Sequence, residues 1–309
     1  MTAMADLPLQ TWMREWGRLE DDLAGWLLYA RERAGFLPAL QSLQARLAAL
    51  LEADVDGSLY WLFQRAALTS TQYSATHATL CACLCRVLAP ALGLDAARRD
   101  SLTLAALTMN LAMTQLQDRL AEQPGPPDDA QRELISHHPA LGAQLLADLG
   151  VEDSDWLQAV GQHHADAAGR LPRALAATDR YAALLSPRQH RSGRCVTDSA
   201  RHVAVRRGAG LDSVGKALLR TLGLCPPGTF VRLEDGRIAV VLRRGATPGT
   251  PWVAPVLDAA GRHLPGKALI DTGCEGMGLE AALLASTVPA RLDHPGLLAL
   301  GRTLAAGPG

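Results

Sequence analysis

The sequence predicts a mainly α-helical protein that ends in a small antiparallel β module. Two observations support this fold class. Apolar residues recur at intervals of three and four through most of the chain before Cys225, which is the spacing of helix faces that pack on a core. After Pro226-Pro227-Gly228 the period falls to two, as expected for strands with one buried face.

The composition fits a globular chain with a substantial core. Its 309 residues, of which 48% are hydrophobic and 20% charged, allow about two domains. The formal net charge of −1 provides no basic face for nucleic acid or for an anionic membrane surface. The N-terminus lacks a signal-peptide pattern, and no apolar run is long enough to span a membrane. We therefore expect a cytoplasmic protein with neither nucleic acid nor membrane as a partner.

Residues 1–68 are expected to form a helical N-terminal extension of three helices. The predicted helices cover 10–34, 36–53 and 57–68. Trp12, Trp16 and Trp26 share one face of the first helix. A partner-binding surface is one interpretation of this face. Packing against the following helices is the interpretation we favour.

The next segment, residues 69–224, is expected to hold the main helical domain. A helix is predicted from Thr71 to Leu92, followed by Gly93 as its stop signal. The stretch from Ala96 to Leu120 is apolar on nearly every side, which predicts one central, buried helix. Asn110 would then lie inside the protein.

Loop and capping signals divide the rest of this domain. A Pro-Gly-Pro-Pro loop precedes a helix capped by Asp128 or Asp129, which we expect to end near Pro139. A further helix runs to Gly150, and Asp153 or Ser154 caps the helix that carries the histidine pair His163-His164.

The C-terminal part divides into a β module at 225–274 and a tail at 275–309. The predicted strands are 229–233, 237–243, 252–257 and a weaker one at 263–270, and Glu234-Asp235-Gly236 forms the first hairpin turn. In the tail we expect a short helix near 278–286 and then poorly ordered sequence.

Residues that bind metal ions recur through the helical domain. They are His77, His138, His163, His164 and Asp179. Each lies in a predicted helix or at its end. Imidazole nitrogens and carboxylate oxygens are ligands of divalent transition metals, which activate water in phosphohydrolases. Core histidines bonded to backbone, with Asp179 paired to Arg180 or a nearby histidine, are the alternative.

Cysteines form no pair of CxxC motifs. Cys81, Cys83 and Cys85 alternate along one predicted helix, and Cys81 follows His77 by four residues. A soft-metal site at this position is one interpretation. We favour reduced thiols packed in the core like small apolar side chains.

The order of five short motifs resembles a known family. These motifs are Tyr73-Ser-Ala-Thr-His77, Leu107-Thr-Met-Asn-Leu-Ala-Met113, His138-Pro-Ala-Leu-Gly142, Gln162-His-His164 and Ala176-Ala-Thr-Asp179 with its following helix. Together with the module from Pro226 they resemble the HD-GYP proteins, HD-domain phosphohydrolases that hydrolyse cyclic di-GMP. The resemblance covers roughly residues 55–271 and implies an HD-type helical bundle.

Several positions depart from the pattern that the resemblance implies. Met109 stands where the family has a histidine, Asn110 replaces the aspartate shared between two metals, and Met113 replaces a lysine. A glutamate is expected at Tyr73 and at Ala165, and only Pro172 remains of the Gly-Tyr-Pro signature. A neutral amide bridges two dications poorly, and a thioether is too soft for iron or manganese.

These departures favour a catalytically inactive regulator or scaffold in bacterial cyclic di-GMP signalling. The alternatives are a phosphodiesterase with a reduced, one-metal site and a nucleotide sensor without hydrolysis. The chain would hold no cofactor or one divalent iron, manganese, zinc or nickel ion. Its partner would be a signalling protein or a cyclic dinucleotide, and a homodimer is also compatible. Arg188 and Arg191 would contact phosphates or lie in a solvated loop.

Overall fold

The computed structural model describes residues 7–68, 72–165, 169–186, 197–199, 205–206, 210–211 and 213–305. The chain divides into two compact units. One unit comprises Glu15–Ala49 and Thr69–Gly193, and the other comprises Met1–Arg14, Leu50–Leu68 and Arg194–Gly309. The first is helical, and the second combines helices with a sheet.

The described residues are mainly helical, as predicted. In chain order the helices are α1 Leu9–Leu28, α2 Phe36–Ala53, α3 Val55–Leu68, α4 Tyr73–Leu88, α5 Ala96–Thr108, α6 Thr114–Glu122, α7 Asp129–Asp148, α8 Ser154–Gln162, α9 Arg170–Leu185, α10 Ser213–Leu222 and α11 His294–Ala305. In the helical unit, α4 packs on α5 and α9, and α8 packs on α5 and α7. None of the described helices is long and apolar enough to cross a membrane.

The predicted central helix is interrupted, so the prediction of one helix from Ala96 to Leu120 is wrong. Helix α5 ends at Thr108, and a 3-10 turn at Leu111–Met113 precedes α6. The Thr108 hydroxyl donates to the carbonyl of Leu104 at 2.8 Å and accepts the Trp156 indole N–H at 2.8 Å. Such bonding from a threonine back to its own helix favours a bend. Asn110 is consequently half-buried at the break and not enclosed in the core.

Helix α7 continues through Pro139, where we predicted its end. Asp128 caps the helix in a capping box with Gln131, which confirms its predicted start. Proline has no N–H and leaves the carbonyl of Ile135 without its usual helical donor. The Nδ1–H of His138 donates to this carbonyl at 2.6 Å. The side chain thus compensates for the missing backbone bond, and the helix persists.

Two aspartates cap helices of the helical unit and bond them to their neighbours. Asp118 of α6 accepts the backbone N–H of Ser74 at 2.7 Å and the Ser74 hydroxyl at 3.0 Å, which caps the first turn of α4. Asp153, rather than Ser154, caps α8 by accepting the N–H of Trp156 at 3.0 Å. Its other oxygen accepts the Ser101 hydroxyl at 2.6 Å and ties α8 to α5.

The second unit contains an antiparallel sheet, as predicted for the C-terminal part. Its strands are β3 Phe230–Leu233, β4 Ile238–Arg243, β5 Trp252–Leu257, β6 Ile270–Asp271 and β7 Leu279–Leu283, after a small pair, β1 Val205–Arg206 and β2 Gly210–Leu211. The order across the sheet is β6-β5-β4-β3-β7. The β3–β4 hairpin turns at Gly236, whose φ of 83° suits glycine. One face buries Val231, Leu233 and Val241.

Three C-terminal predictions were wrong. The weak strand at 263–270 is reduced to β6, preceded by an isolated bridge between Leu257 and His263. Residues 279–283 form β7 and not a helix, because β3 offers a free edge that they pair with. The segment after this strand ends in the ordered helix α11.

Candidate metal centre

Two groups of metal-ligating side chains contain all five of the predicted ligands. His138, His163 and His164 form the first, which we call the imidazole group. His77, Asp179 and Cys81 form the second, the thiol group. Within each group the ligand atoms lie within 4.8 Å of one another.

Two backbone carbonyls fix the imidazole group. The carbonyl of Ile135, left free by Pro139, accepts the Nδ1–H of His138. Val160 lies in the last turn of α8, where carbonyls have no helical donor, and it accepts the Nδ1–H of His163 at 2.7 Å. A carbonyl can only accept, so both rings carry their proton on Nδ1. Both Nε2 atoms therefore present lone pairs.

These two lone pairs face each other. His138 Nε2 lies 3.2 Å from His163 Nε2. Burial lowers the pKa of His138, and it lowers the pKa of His163 to about 4. Both rings are accordingly neutral near pH 7, and neither Nε2 has a proton to share. The contact is unfavourable as it stands, and a cation beside both nitrogens would relieve it.

This arrangement passes a chemical test for a metal site. Imidazoles that bind metals usually donate their other N–H to a carbonyl or carboxylate, as both rings do here. Tetrahedral ligands about 2.0–2.1 Å from zinc lie roughly 3.3 Å apart, close to the 3.2 Å separation of the two Nε2 atoms. The exposed ring of His164 lies 4.0 Å from the ring of His163, between centroids. The imidazole group therefore fits a cation.

The thiol group is held by a histidine–aspartate contact. His77 Nε2 donates to Asp179 Oδ1 at 2.8 Å, and Cys81 Sγ lies 3.6 Å from the same nitrogen. The ring of Tyr73 stacks on the ring of His77. The pairing of Asp179 with a histidine, one of our alternatives, is thus present, whereas Arg180 is exposed.

Asp179 links the two groups electrostatically. Burial alone would raise the pKa of its carboxyl. Two effects outweigh burial and hold the pKa of Asp179 below its ordinary value. They are the hydrogen bond that His77 donates and the electrostatic attraction of His77, His163 and His164. The carboxylate is therefore ionised at neutral pH, with its side chain 16% exposed. One negative charge stands beside the imidazoles.

The residues that depart from the family pattern add no charge. Met109 is fully buried directly after α5, and Met113 is half-buried at the end of the 3-10 turn that packs on α7. Asn110 caps this turn without a side-chain hydrogen bond. His137, which precedes the buried His138, is exposed. Arg188 and Arg191 lie outside the described residues.

Sequence reasoning assigned Cys81 to the core and did not group it with Asp179. Cys81 is fully buried, as are Cys83 and Cys85, and the described cysteines are free thiols. The interval of four residues from His77 was the available signal, because it places both side chains on one helix face. The interval could not predict that Asp179 of α9 lies beside these two residues.

Comparison with known proteins gives one sequence relative to consider. No family model and no solved structure matches the chain. It is 27% identical over 222 residues to a cyclic di-GMP phosphodiesterase of Pseudomonas aeruginosa. The match covers 67% of this chain and 54% of that protein, so the chain spans about half the length of its curated relative.

Proposed function

We propose that this chain acts in cyclic di-GMP signalling as a degenerate HD-GYP-like regulator. In this proposal the imidazole group holds a divalent transition metal, and the chain binds the dinucleotide without efficient hydrolysis. The observation that carries the proposal is the opposition of the His138 and His163 Nε2 lone pairs at 3.2 Å. The name of the relative supports the ligand class.

Each residue of the group has a defined part in this role. The Nδ1–H bonds of His138 and His163 fix the ring orientation, so that both Nε2 atoms are preorganised as ligands. The exposed imidazole of His164 provides a third nitrogen at the solvent side. A bound metal ion would supply a positive charge for phosphate oxygens. The ionised Asp179 would partly balance that charge.

Three side chains argue against efficient hydrolysis. Attack on a phosphodiester at a two-metal centre needs ions about 3.5–4 Å apart and groups that stabilise the developing charge. The Asn110 amide is neutral, and Met109 and Met113 carry no charge. Without a shared carboxylate the repulsion between two close dications is poorly offset. Binding of the ligand is therefore favoured over its cleavage.

The test combines metal analysis, calorimetry and an activity assay on the full chain. We expect bound transition metal in the wild type, loss of about one ion per chain in His138→Ala, and no loss in His137→Ala, the exposed neighbour. Calorimetry should detect cyclic di-GMP binding that a chelator weakens. Turnover of cyclic di-GMP that His138→Ala abolishes would overturn the non-hydrolysing role.

A one-metal phosphodiesterase is the second candidate. Three imidazole ligands leave a fourth coordination position open for water, which is the arrangement of catalytic zinc sites. The exposure of His164 favours this alternative, because it places one ligand at the solvent side. The activity assay separates the candidates. A chain that binds neither metal nor dinucleotide would instead be a scaffold for a protein partner.

A further inference from the structure

A cavity of about 350 Å³ lies within the second unit, at the end of α10. Asp56 in the first turn of α3 forms one wall, and Arg220 and Thr221 at the end of α10 form another. The loop between β4 and β5 forms the third wall, from Arg244 to Pro248. Small-molecule sites have volumes of about 300–1,000 Å³. The cavity is therefore large enough for a small ligand.

Backbone contacts hold the walls of this cavity in place. The N–H of Leu224 donates to the carbonyl of Pro248 at 3.0 Å. This approach requires the glycine at 223, where φ is 77° and a Cβ atom would lie 2.8 Å from the same carbonyl oxygen. The N–H of Thr250 donates to the carbonyl of Thr247 at 3.2 Å and closes the turn of the loop. The end of α10 and the loop are thus fixed to each other before any ligand binds.

Arg244 is held at the cavity by Asp56 and by α10. Its Nε donates to Asp56 Oδ1 at 2.5 Å, and its Nη1 donates to the carbonyl of Thr221 at 3.0 Å. The Nη2 atom makes no hydrogen bond within the described part of the chain. Pairing with Asp56 and capping of α10 therefore use one edge of this guanidinium group. The Nη2 edge remains available to a ligand.

Arg220 contributes a second guanidinium group that the fold does not use. It lines the cavity, is exposed, and has neither a hydrogen bond nor an ion pair with another described residue. Lys216 is also exposed and lies one turn earlier on α10, so the two cations share one helix face. Among the described residues that line the cavity, Asp56 is the one acidic side chain, and Arg244 already neutralises it. The cavity consequently carries an excess of positive charge.

The polar groups that remain unused at this cavity are donors. The hydroxyls of Thr247 and Thr250 bond to each other at 2.8 Å, and donation by Thr250 leaves the proton of Thr247 for a ligand. A cavity with two guanidinium groups and a hydroxyl donor selects an anion. The acceptors of the lining that already accept a hydrogen bond are the carboxylate of Asp56 and the carbonyls of Thr221, Thr247, Pro248 and Pro251.

We propose that this cavity is a binding site for a small phosphomonoester, in which Arg220 and Arg244 bind the phosphate and Thr247 is a further donor. A phosphomonoester has three terminal oxygens and a charge of roughly −1.5 to −2 at pH 7, which match the three donor side chains. A phosphodiester carries less charge and one terminal oxygen fewer, so the cavity should prefer the monoester. The site goes beyond the proposed function, because it lies in the second unit and does not use the imidazole group.

Calorimetric titration of the full chain with inorganic phosphate and with guanosine monophosphate tests the site. Metal is first removed with a chelator, because an ion in the imidazole group would itself bind phosphate. We expect both probes to bind, and cyclic di-GMP, a diester, to bind more weakly to the metal-free chain. Arg220→Gln should weaken the affinity for both monoester probes about 10–100-fold, the effect of losing a hydrogen bond between charged groups.

Arg262→Gln is the matched control, because it removes a positive charge from the same unit at a side chain that is 82% exposed and outside the lining. Its affinity for phosphate should equal that of the wild type. Ala246→Glu places a carboxylate at an exposed position of the lining without removing a donor, and it should abolish binding. Thermal unfolding shows that each variant is folded.

His138→Ala should bind phosphate as the wild type does, which distinguishes failure of this proposal from failure of the proposed function. A folded, metal-free chain that binds neither inorganic phosphate nor guanosine monophosphate would overturn the phosphomonoester site. Equal affinities in Arg220→Gln and Arg262→Gln would overturn it as well.

Discussion

At the residue scale, the two central imidazoles use carbonyls that the backbone leaves free. Pro139 frees the carbonyl of Ile135, and the end of α8 frees that of Val160. Each free carbonyl takes a histidine Nδ1–H. The protonation of the site is therefore set by local backbone features, and each feature can be changed independently.

Pro139→Ala tests whether the free carbonyl of Ile135 sets the protonation of His138. The new N–H of alanine is expected to donate to Ile135 and compete with His138 Nδ1 for the same carbonyl. Metal affinity should fall about 10–100-fold, the usual effect of removing such a supporting hydrogen bond. The melting temperature should not fall, because alanine favours helix interiors over proline. Competition with a chelator dye measures the affinity.

Ala140→Gly is the control for this variant. Residue 140 is exposed in the same helix, and glycine there weakens α7 by about 1 kcal/mol without altering Ile135. We expect a lower melting temperature with unchanged metal affinity. Equal affinities in Pro139→Ala and the wild type would show that the proline does not set the His138 tautomer.

The low pKa of His163 predicts that acid destabilises the metal-free protein. The unfolded ring takes up a proton below its ordinary pKa of 6.5, whereas the folded ring stays neutral until about 4. Unfolding therefore binds a proton in this window, and the free energy of unfolding falls as pH falls through it. The full effect is roughly 3 kcal/mol, at about 1.4 kcal/mol per pH unit.

Urea unfolding with a chelator present, repeated across this pH window, measures the effect. His163→Gln should flatten the profile, because its side chain does not titrate. His137→Gln, at an exposed position, should leave the slope unchanged. Parallel profiles for the wild type and His163→Gln would contradict the assignment of a neutral, buried ring.

At the scale of elements, one buried carboxylate joins the helices and the sheet of the second unit. Asp54 precedes α3 and is bonded to Arg243 of β4 at 2.7 Å and to Arg302 of α11 at 3.0 Å. It also accepts the N–H of Gly57 at 2.9 Å, which caps α3. This carboxylate therefore ties helix α11 to α3 and β4, in a region where a poorly ordered tail was predicted.

Asp54→Ala should lower the free energy of unfolding by about 3–5 kcal/mol, because it leaves two guanidinium groups without their shared counterion. Asp22→Ala is the control, since Asp22 is exposed and pairs with Arg46. An exposed pair contributes about 0–1 kcal/mol. Denaturant titration measures both variants. Similar losses in the two would show that the Asp54 cluster carries no special stability.

At the scale of the whole molecule, the sequence predicted the features that depend on local patterns better than those that depend on tertiary contacts. Helical spacing identified α1 to α4, and the Gly236 turn identified the hairpin. The break follows Thr108, whose hydroxyl accepts the indole N–H of Trp156, and the helix continues through Pro139 where the His138 side chain bonds the freed carbonyl. Strand β7 depends on the free edge of β3. Such partners are distant in sequence or leave no periodic signal.

The candidate site likewise combines features that the sequence predicted with features that depend on tertiary contacts. Residue types and motif order predicted five candidate ligands, and the structure brings them together in two groups. The opposed Nε2 atoms of His138 and His163 were not predictable, because ring orientation depends on two carbonyls on separate helices. Cys81 joined the site only when α4 and α9 packed together. Geometry, more than residue type, distinguishes a metal centre from core histidines.

Introducing the residues that the resembled family has at positions 109, 110 and 113 tests whether these three residue types limit metal binding. Asn110→Asp by itself should not produce hydrolysis of cyclic di-GMP, because Met109 and Met113 still provide neither a ligand nor a phosphate-binding charge. Met109→His, Asn110→Asp and Met113→Lys together should raise the metal content. We expect a gain of up to one ion per chain, measured by metal analysis beside the activity assay.

The matched control replaces both methionines with glutamine and keeps Asn110, which adds polarity without ligand nitrogen or charge. Because Met109 is fully buried, unfolding of each variant is measured as well. A folded triple variant without added metal would show that the backbone break after α5 has itself moved these positions out of reach. In that case the backbone geometry at these positions, and not only the residue types, would prevent them from binding an added ion.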